Sequence, residues 1–261
     1  MNRKFLQYIP FVKRLYPSIV KKIFFIFNIG EISFKFFDVN FFLNINEPME
    51  KDILLFDYYE NEQINFLIQR LKNENFDYFF DIGANSGLYS LIIGNLFSSI
   101  KIKSFEPINN SIKKFKKNLS INKNINNIEI YHFGLSNKNS ELLMKAYKKK
   151  NFIQSGGFGV AKKNENLKNL HTELAFFKKT DDLIDVKNKK LMIKIDTEGH
   201  EFEVLEGMNK IILNNKILFQ IEIFDKNFTK IENMLKKKNF QIINSISNGH
   251  KTDYFLSNNV S

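Results

Sequence analysis

The 261-residue sequence contains no cysteine. That excludes a disulfide framework, a thiol nucleophile and zinc–thiolate sites, and it fits a reducing cytoplasm. Arginine is nearly absent too: Arg3, Arg14 and Arg70 stand alone, although Lys and Arg together number 39 against 28 Asp and Glu. The formal net charge of +11 is therefore carried by lysine. A basic balance suits nucleic acid, an anionic membrane surface or an anionic small substrate. Recognition of bases and phosphates favours the planar guanidinium fork, so a lysine surplus weakens the nucleic-acid reading. Most of the surplus belongs to a composition dominated throughout by Lys, Asn, Ile and Phe. Long apolar runs are missing. The stretch Ile23 to Ile29 is far too short to span a bilayer, and Met1 to Phe11 lacks the apolar run and cleavage site of a signal peptide. There is no internal repeat. With 43% hydrophobic and 26% charged residues the chain reads as globular, one large domain with extra elements.

Residues 1–30 form a separate piece. Phe5, Ile9, Val12, Tyr16, Ile19, Ile23 and Phe27 recur at helical spacing, with Lys4, Lys13, Arg14, Lys21 and Lys22 between them. Pro10 and Pro17 are expected to split the stretch into short helices. Docking onto the domain or onto a second subunit is the commoner fate of such a segment, and peripheral membrane contact the rarer one. Residues 31–46 alternate through Phe34, Phe36, Phe41, Leu43 and Ile45 and predict a β-hairpin. Residues 56–72 are helical through Ile64, Leu67, Ile68 and Leu71.

From Tyr78 strands and helices alternate. Strands are expected at 78–82, 100–105, 128–133, 191–195, 217–223, 240–246 and 252–257, and helices at 88–97, 109–121, 201–213 and 227–238. Residues 141–180 interrupt the pattern. Lys148, Lys149 and Lys150, then Ser155-Gly156-Gly157-Phe158-Gly159, predict a mobile loop or lid. The pattern implies an α/β fold with a doubly wound, mostly parallel sheet over 76–261, behind a helical and hairpin extension at 1–75.

In such sheets ligands bind beyond the carboxyl ends of the strands. The residues expected there are Asp81, Glu106, Gly134, Asp196 and Glu222. The first turn reads Asp81-Ile82-Gly83-Ala84-Asn85-Ser86-Gly87, a D-x-G-x-x-x-G string. A dinucleotide turn would read G-x-G-x-x-G, and a leading carboxylate would repel its pyrophosphate. S-adenosylmethionine has no phosphate. Asp81 can face its cationic amino group, and the backbone of Gly83 to Gly87 can hold its carboxylate. Glu106, 25 residues after Asp81 and followed by Pro107, suits a ribose diol. Leu135 and Ser136 follow the third strand, where an adenine would lie.

The second dense string is Lys194-Ile195-Asp196-Thr197-Glu198-Gly199-His200-Glu201. Methyl transfer needs a nucleophile held in line with the methyl group, and a hydroxyl nucleophile gains from a base. His200 is the best base by intrinsic pKa, with Asp196 orienting it or taking the proton itself. Glu222 is expected in the same cleft. Asp196 and Glu222 could instead hold Mg²⁺ together with substrate hydroxyls. Glu198 and Glu201 suit capping of the following helix.

The strings DIGANSGLYS (81–90), FEP (105–107), GLSN (134–137) and KIDTEGHEFEVLEG (194–207) resemble the FkbM family of methyltransferases, and FDYYENEQINFL (56–67) resembles the helix preceding its domain. The resemblance covers roughly 56–225. It implies a class I, Rossmann-like methyltransferase fold, S-adenosylmethionine as donor, and O-methylation of a hydroxyl on a sugar or natural product. A sugar, nucleotide-sugar or surface-glycan acceptor in polysaccharide biosynthesis is the leading expectation. A nucleic-acid methyltransferase and a non-catalytic S-adenosylmethionine-binding protein are the alternatives. Oligomerisation is left open.

Overall fold

The computed structural model describes residues 9–149, 152–153, 156–162 and 164–259. Phe5, Lys4, Lys150 and Ser155 lie outside them. The N-terminal segment is one helix, α1 (Pro10–Ile26), and the expected split at the prolines does not occur. Pro10 occupies the first helical position, where its missing N–H costs nothing. Pro17 lies inside the helix, which continues through it. Packing outweighs the lost hydrogen bond: Tyr16 meets Phe56 edge-on with centroids 6.3 Å apart, and Phe24 is buried.

The hairpin is as expected, β1 (Ile32–Phe36) against β2 (Val39–Leu43). Phe37 and Asp38 both take left-handed backbone, φ 47° and 60°, which matches a two-residue turn to the strand twist. Next comes α2 (Pro48–Phe56), which the sequence pattern did not predict. Its last four residues, Ile53 to Phe56, are all buried and show no one-sided periodicity. Helix α3 (Asn61–Asn73) matches its predicted apolar stripe.

The main body follows with β3 (Tyr78–Ile82), α4 (Leu88–Leu96), β4 (Lys101–Phe105), α5 (Asn109–Ser120) and β5 (Ile128–Tyr131). A second group comprises β6 (Gly134–Ser136), β7 (Ser140–Lys149), β8 (Phe152–Ile153), β9 (Gly159–Val160) and β10 (Leu170–Lys179). The chain then returns through β11 (Lys190–Ile195), α6 (Glu201–Gly207), α7 (Asn209–Asn214), β12 (Lys216–Phe224), α8 (Phe228–Lys236), β13 (Gln241–Asn248) and β14 (Lys251–Ser257).

The large sheet has the order β5-β4-β3-β11-β12-β14-β13. It is parallel except for β14, which runs antiparallel to β12 and β13. This is the doubly wound architecture that the sequence pattern implies. Strand order turns back between β3 and β11, so the site is expected over their carboxyl ends. Residues of alternate parity serve opposite faces. Phe79 joins the core shared with α1 to α4, and Phe80 and Ile82 join the one beneath α6 to α8.

Three further expectations change. The strand predicted to run through 133 ends at Tyr131, and Gly134 to Ser136 leaves the large sheet to pair in parallel with β10. Gly134 lies so close to Phe177 that a Cβ there would sit 2.3 Å from the ring. Most of 141–180 is not a loop. Strands β7 and β10 pair antiparallel from Leu170↔Tyr147 to Phe177↔Ser140, with Met144, Ala146, Ala175 and Phe177 facing inward. The alternation is hidden in sequence because large apolar residues also stand on the outer face, where Tyr147, Leu174 and Phe176 are exposed. The predicted helix 201–213 is two helices, α6 and α7, that meet at Met208.

Candidate active site

The site is built on the turn after β3. Gly83, Asn85 and Gly87 all have positive φ, 83°, 49° and 84°. The Gly83 and Ala84 N–H groups donate to the Phe105 carbonyl, tying the turn to β4. A Cβ on Gly83 would stand 1.9 Å from the Asp196 carbonyl oxygen, so only glycine lets the turn touch the end of β11. Above it opens a cavity of about 260 Å³, roofed by the second sheet and flanked by α2.

Gly83, Asn85, Glu106, Pro107 and Leu135 line this cavity. Asp81, Ala84, Gly87 and Ser136 do not. Asp81, expected to face the ligand directly or through water, is set back from the cavity wall. Asp81 shares the parity of Phe79, so its side chain faces α4. There its Oδ2 accepts from the Ser90 N–H at 3.1 Å and the Ser90 hydroxyl at 2.6 Å. It is 1% exposed, and burial raises its pKa against the pull of Lys194. Gly87 is needed for packing, because a Cβ there would meet the Phe115 ring at 2.2 Å.

Glu106 is oriented by two backbone donors. Asn85 N–H reaches Oε2 and Ile108 N–H reaches Oε1, each at 2.8 Å. Burial nevertheless pushes its pKa up to about 7. Asn85 Oδ1 is buried without a hydrogen-bond partner. A preset carboxylate, an unpartnered amide oxygen and the apolar face of Leu135 fit the ribose diol, a donor and the adenine of S-adenosylmethionine.

Across the cavity stands Asp196, with Thr197, Glu198 and His200 on the same wall. Burial works to raise the Asp196 pKa, but Lys194 and Lys251 outweigh it and hold the group below the usual carboxylate range. Lys194 Nζ donates to Asp196 Oδ2 at 3.0 Å and lies 4.6 Å from the centre of the Tyr89 ring. Glu222 stands off the cavity wall. Burial and the Asp196 charge push its pKa up to about 9. Asp196, Glu198 and Glu222 offer oxygens within 4.8 Å of one another. Lys251 already sits among them, 2.8 Å from Glu198 Oε2 and 2.6 Å from Glu222 Oε2.

His200 reaches the cavity wall, but its nitrogens face protein. Nε2 is 2.9 Å from Ser136 Oγ and Nδ1 is 3.7 Å from Glu203. Burial lowers its pKa, so the ring is neutral near pH 7. Glu201 folds back to accept from the Gly199 N–H at 2.8 Å and the Thr197 hydroxyl at 3.1 Å. It fastens the loop that carries Glu198, itself at φ 53°.

Several residues of the site carried no assignment from sequence. Tyr59 lines the cavity from the α2–α3 connection and shares a hydrogen bond with half-buried Glu60. Phe158, Met144 and Phe177 come from the second sheet. Lys194 did leave a signal, being a charge inside the buried run Leu191 to Ile195. Lys251 left none, because its partners are distant in sequence.

The family described as Methyltransferase FkbM domain matches residues 81–242. No curated protein matches the chain. Solved structures resemble it in outline. The ribosomal protein L11 methylase of Lactobacillus delbrueckii subsp. bulgaricus is 14% identical, with 77% of this chain and 79% of that one covered at a TM-score of 0.46. The precorrin-6y C5,15-methyltransferase of Geobacter metallireducens is 12% identical, with coverage of 75% and 87% and a TM-score of 0.45. A human methyltransferase 10 domain containing protein is 10% identical, with coverage of 85% and 88% and a TM-score of 0.48.

Proposed function

The chain belongs to the FkbM methyltransferase family, and from that premise we propose that it moves the methyl group of S-adenosylmethionine onto a hydroxyl of a neutral sugar or glycan in the cytoplasm. One observation carries the choice of acceptor. The cavity wall bears Glu47, Asp52, Glu106, Asp196 and Glu198 and, among the described residues, no lysine or arginine. In a chain of net charge +11 this is an acidic chamber inside a basic protein. Carboxylates accept hydrogen bonds from sugar hydroxyls and repel phosphate. That favours a neutral glycan over a nucleotide-sugar, and either over nucleic acid.

S-adenosylmethionine, when bound, supplies an electrophilic methyl group on a sulfonium. We assign Asp196 to hold the acceptor hydroxyl, since its ionised carboxylate faces the cavity and Lys194 fixes it in place. His200 is assigned a positioning role against Ser136 and Phe177. Burial and the Asp196 charge favour the protonated form of Glu222, which makes it a poor proton acceptor. Asp196→Asn is expected to lower kcat by about 10²–10⁴-fold, the usual worth of a group that handles the reacting proton. His200→Gln is expected to cost less than about tenfold and to leave the pH profile in place. A kcat loss that is larger for His200→Gln would reverse the two roles.

A Mg²⁺ ion between Asp196, Glu198 and Glu222 has to displace Lys251. We therefore take the lysine as the cation of this cluster, and a chelator is expected to leave turnover unchanged. The acceptor is tested by transfer of labelled methyl to neutral oligosaccharides, nucleotide-sugars, RNA and DNA in parallel. Label in the neutral glycans alone supports the reading. Label in the nucleic acids alone overturns it.

A further inference from the structure

Helix α1 has two apolar stripes where docking onto the domain needs one. Tyr16, Val20 and Phe24 pack inward. On the outer side Phe11, Leu15, Ile19, Ile23 and Ile26 follow at steps of four and three, each between 43% and 72% exposed. Phe25 and Phe27 extend this surface at 87% and 70%. Scattered apolar residues on a surface are ordinary, but a contiguous stripe of large ones marks a binding face.

The chain around the stripe has charge of one sign. Residues 1–30 contain Arg3, Lys4, Lys13, Arg14, Lys21 and Lys22 and not one Asp or Glu, the first acid being Glu31. Helix α1 has 17 residues, and among the described residues no helix is long and apolar enough to cross a membrane. A helix with large outward apolar side chains and exclusively basic charge is built to lie in an interface.

We propose that α1 seats this enzyme on an anionic lipid surface, its outer stripe entering the headgroup–acyl boundary and its basic residues meeting lipid phosphates. A second copy of the chain is the less suited occupant. A two-fold contact would press the same acid-free basic segment against itself. Lipid phosphate supplies the opposite charge, and acyl chains take the apolar side chains. Among the described residues none of α1 lines the acidic cavity, so seating through α1 leaves the cavity wall unchanged.

The test is sedimentation of the full chain with vesicles of phosphatidylcholine, with and without phosphatidylglycerol. Binding is expected to the mixed vesicles only, and to fall as salt is raised. The Ile19→Asp/Ile23→Asp variant is expected to remain in the supernatant. Lys21→Gln/Lys22→Gln is expected to bind about thirtyfold more weakly, the worth of two basic residues near an anionic surface. Both variants should keep the circular dichroism and S-adenosylmethionine binding of the parent. No sedimentation of the parent, equal binding to neutral vesicles, or a parent dimer that the Ile19→Asp/Ile23→Asp variant dissociates would each overturn the proposal.

Discussion

Glu106 shows what a single buried carboxylate does to the energetics of this site. Burial moves its pKa from 4.5 to about 7, although two N–H groups point at it. Between those values the folded chain holds a proton that the unfolded chain has released. Its contribution to stability therefore falls as pH rises through that window, by about 3 kcal/mol in all. A ribose diol donates to the ionised form and pulls the pKa back down. Binding of S-adenosylmethionine near pH 7 is accordingly expected to release a proton. Calorimetry in buffers of different ionisation enthalpy detects this. Glu106→Gln should abolish the release and weaken binding about 10–100-fold, the worth of a hydrogen bond to a charged group. A binding enthalpy in the parent that is the same in every buffer would mean that no proton is released and would overturn this role for Glu106. The place of Glu106 on the cavity wall was legible in sequence, because an acid at a strand end has few structural uses. The opposite wall was less so. Nothing local marks Lys251 as the partner of Glu198 and Glu222, which lie 53 and 29 residues away.

At the scale of elements, the cofactor turn depends on a hairpin that precedes the domain. Asn118 on α5 accepts from the Phe42 N–H of β2 through Oδ1 at 3.0 Å and donates to the Ser86 carbonyl through Nδ2 at 3.1 Å. Asn122, one turn on, bonds both the N–H and the carbonyl of Asn40. Two asparagines thus fasten an edge strand to a helix and that helix to the turn. Asn118→Ala leaves a buried N–H and a buried carbonyl unpartnered and is expected to cost about 2–4 kcal/mol. Denaturant unfolding measures the loss, and faster amide exchange in β2 locates it. Full stability in the variant would mean that the hairpin is held by its apolar side chains alone. The alternating strands and helices of 78–131 and 190–257 were legible, because each buried parallel strand is a short apolar run such as Phe79-Phe80 or Leu191-Met192-Ile193. Helix α2 was not, since both its faces are buried at Ile53 to Phe56. Strands β6 to β10 were not, since their pairing closes over long sequence separations and apolar residues stand on both faces, Met144, Ala146 and Phe177 buried but Tyr147, Leu174 and Phe176 exposed. The distinction matters for the site, because Tyr59, Phe158 and Phe177 all come from the part that periodicity does not mark.

The whole molecule separates its charges. Lysine gives the surface its net +11, the acid-free N-terminus concentrates part of it beside an apolar stripe, and the acceptor chamber is lined by carboxylates. This separation has a kinetic consequence. A basic surface attracts any polyanion, and such attraction is screened over about 10 Å at ordinary salt. If the acceptor is a neutral glycan, its encounter with the chamber has no Coulomb component for salt to remove. The kcat/KM for acceptor is then expected to vary by less than about twofold between roughly 50 and 200 mM salt. A polyanionic acceptor behaves otherwise, losing about 10³–10⁵ in affinity over the same range when six to ten phosphates are engaged. The same titration separates surface from chamber. Vesicle binding through α1 must weaken with salt while turnover of a soluble neutral acceptor stays flat. A kcat/KM that falls steeply in parallel with vesicle binding would mean that substrate arrives through the basic surface, and the acidic chamber would then have to be read as a filter against anions that this substrate evades.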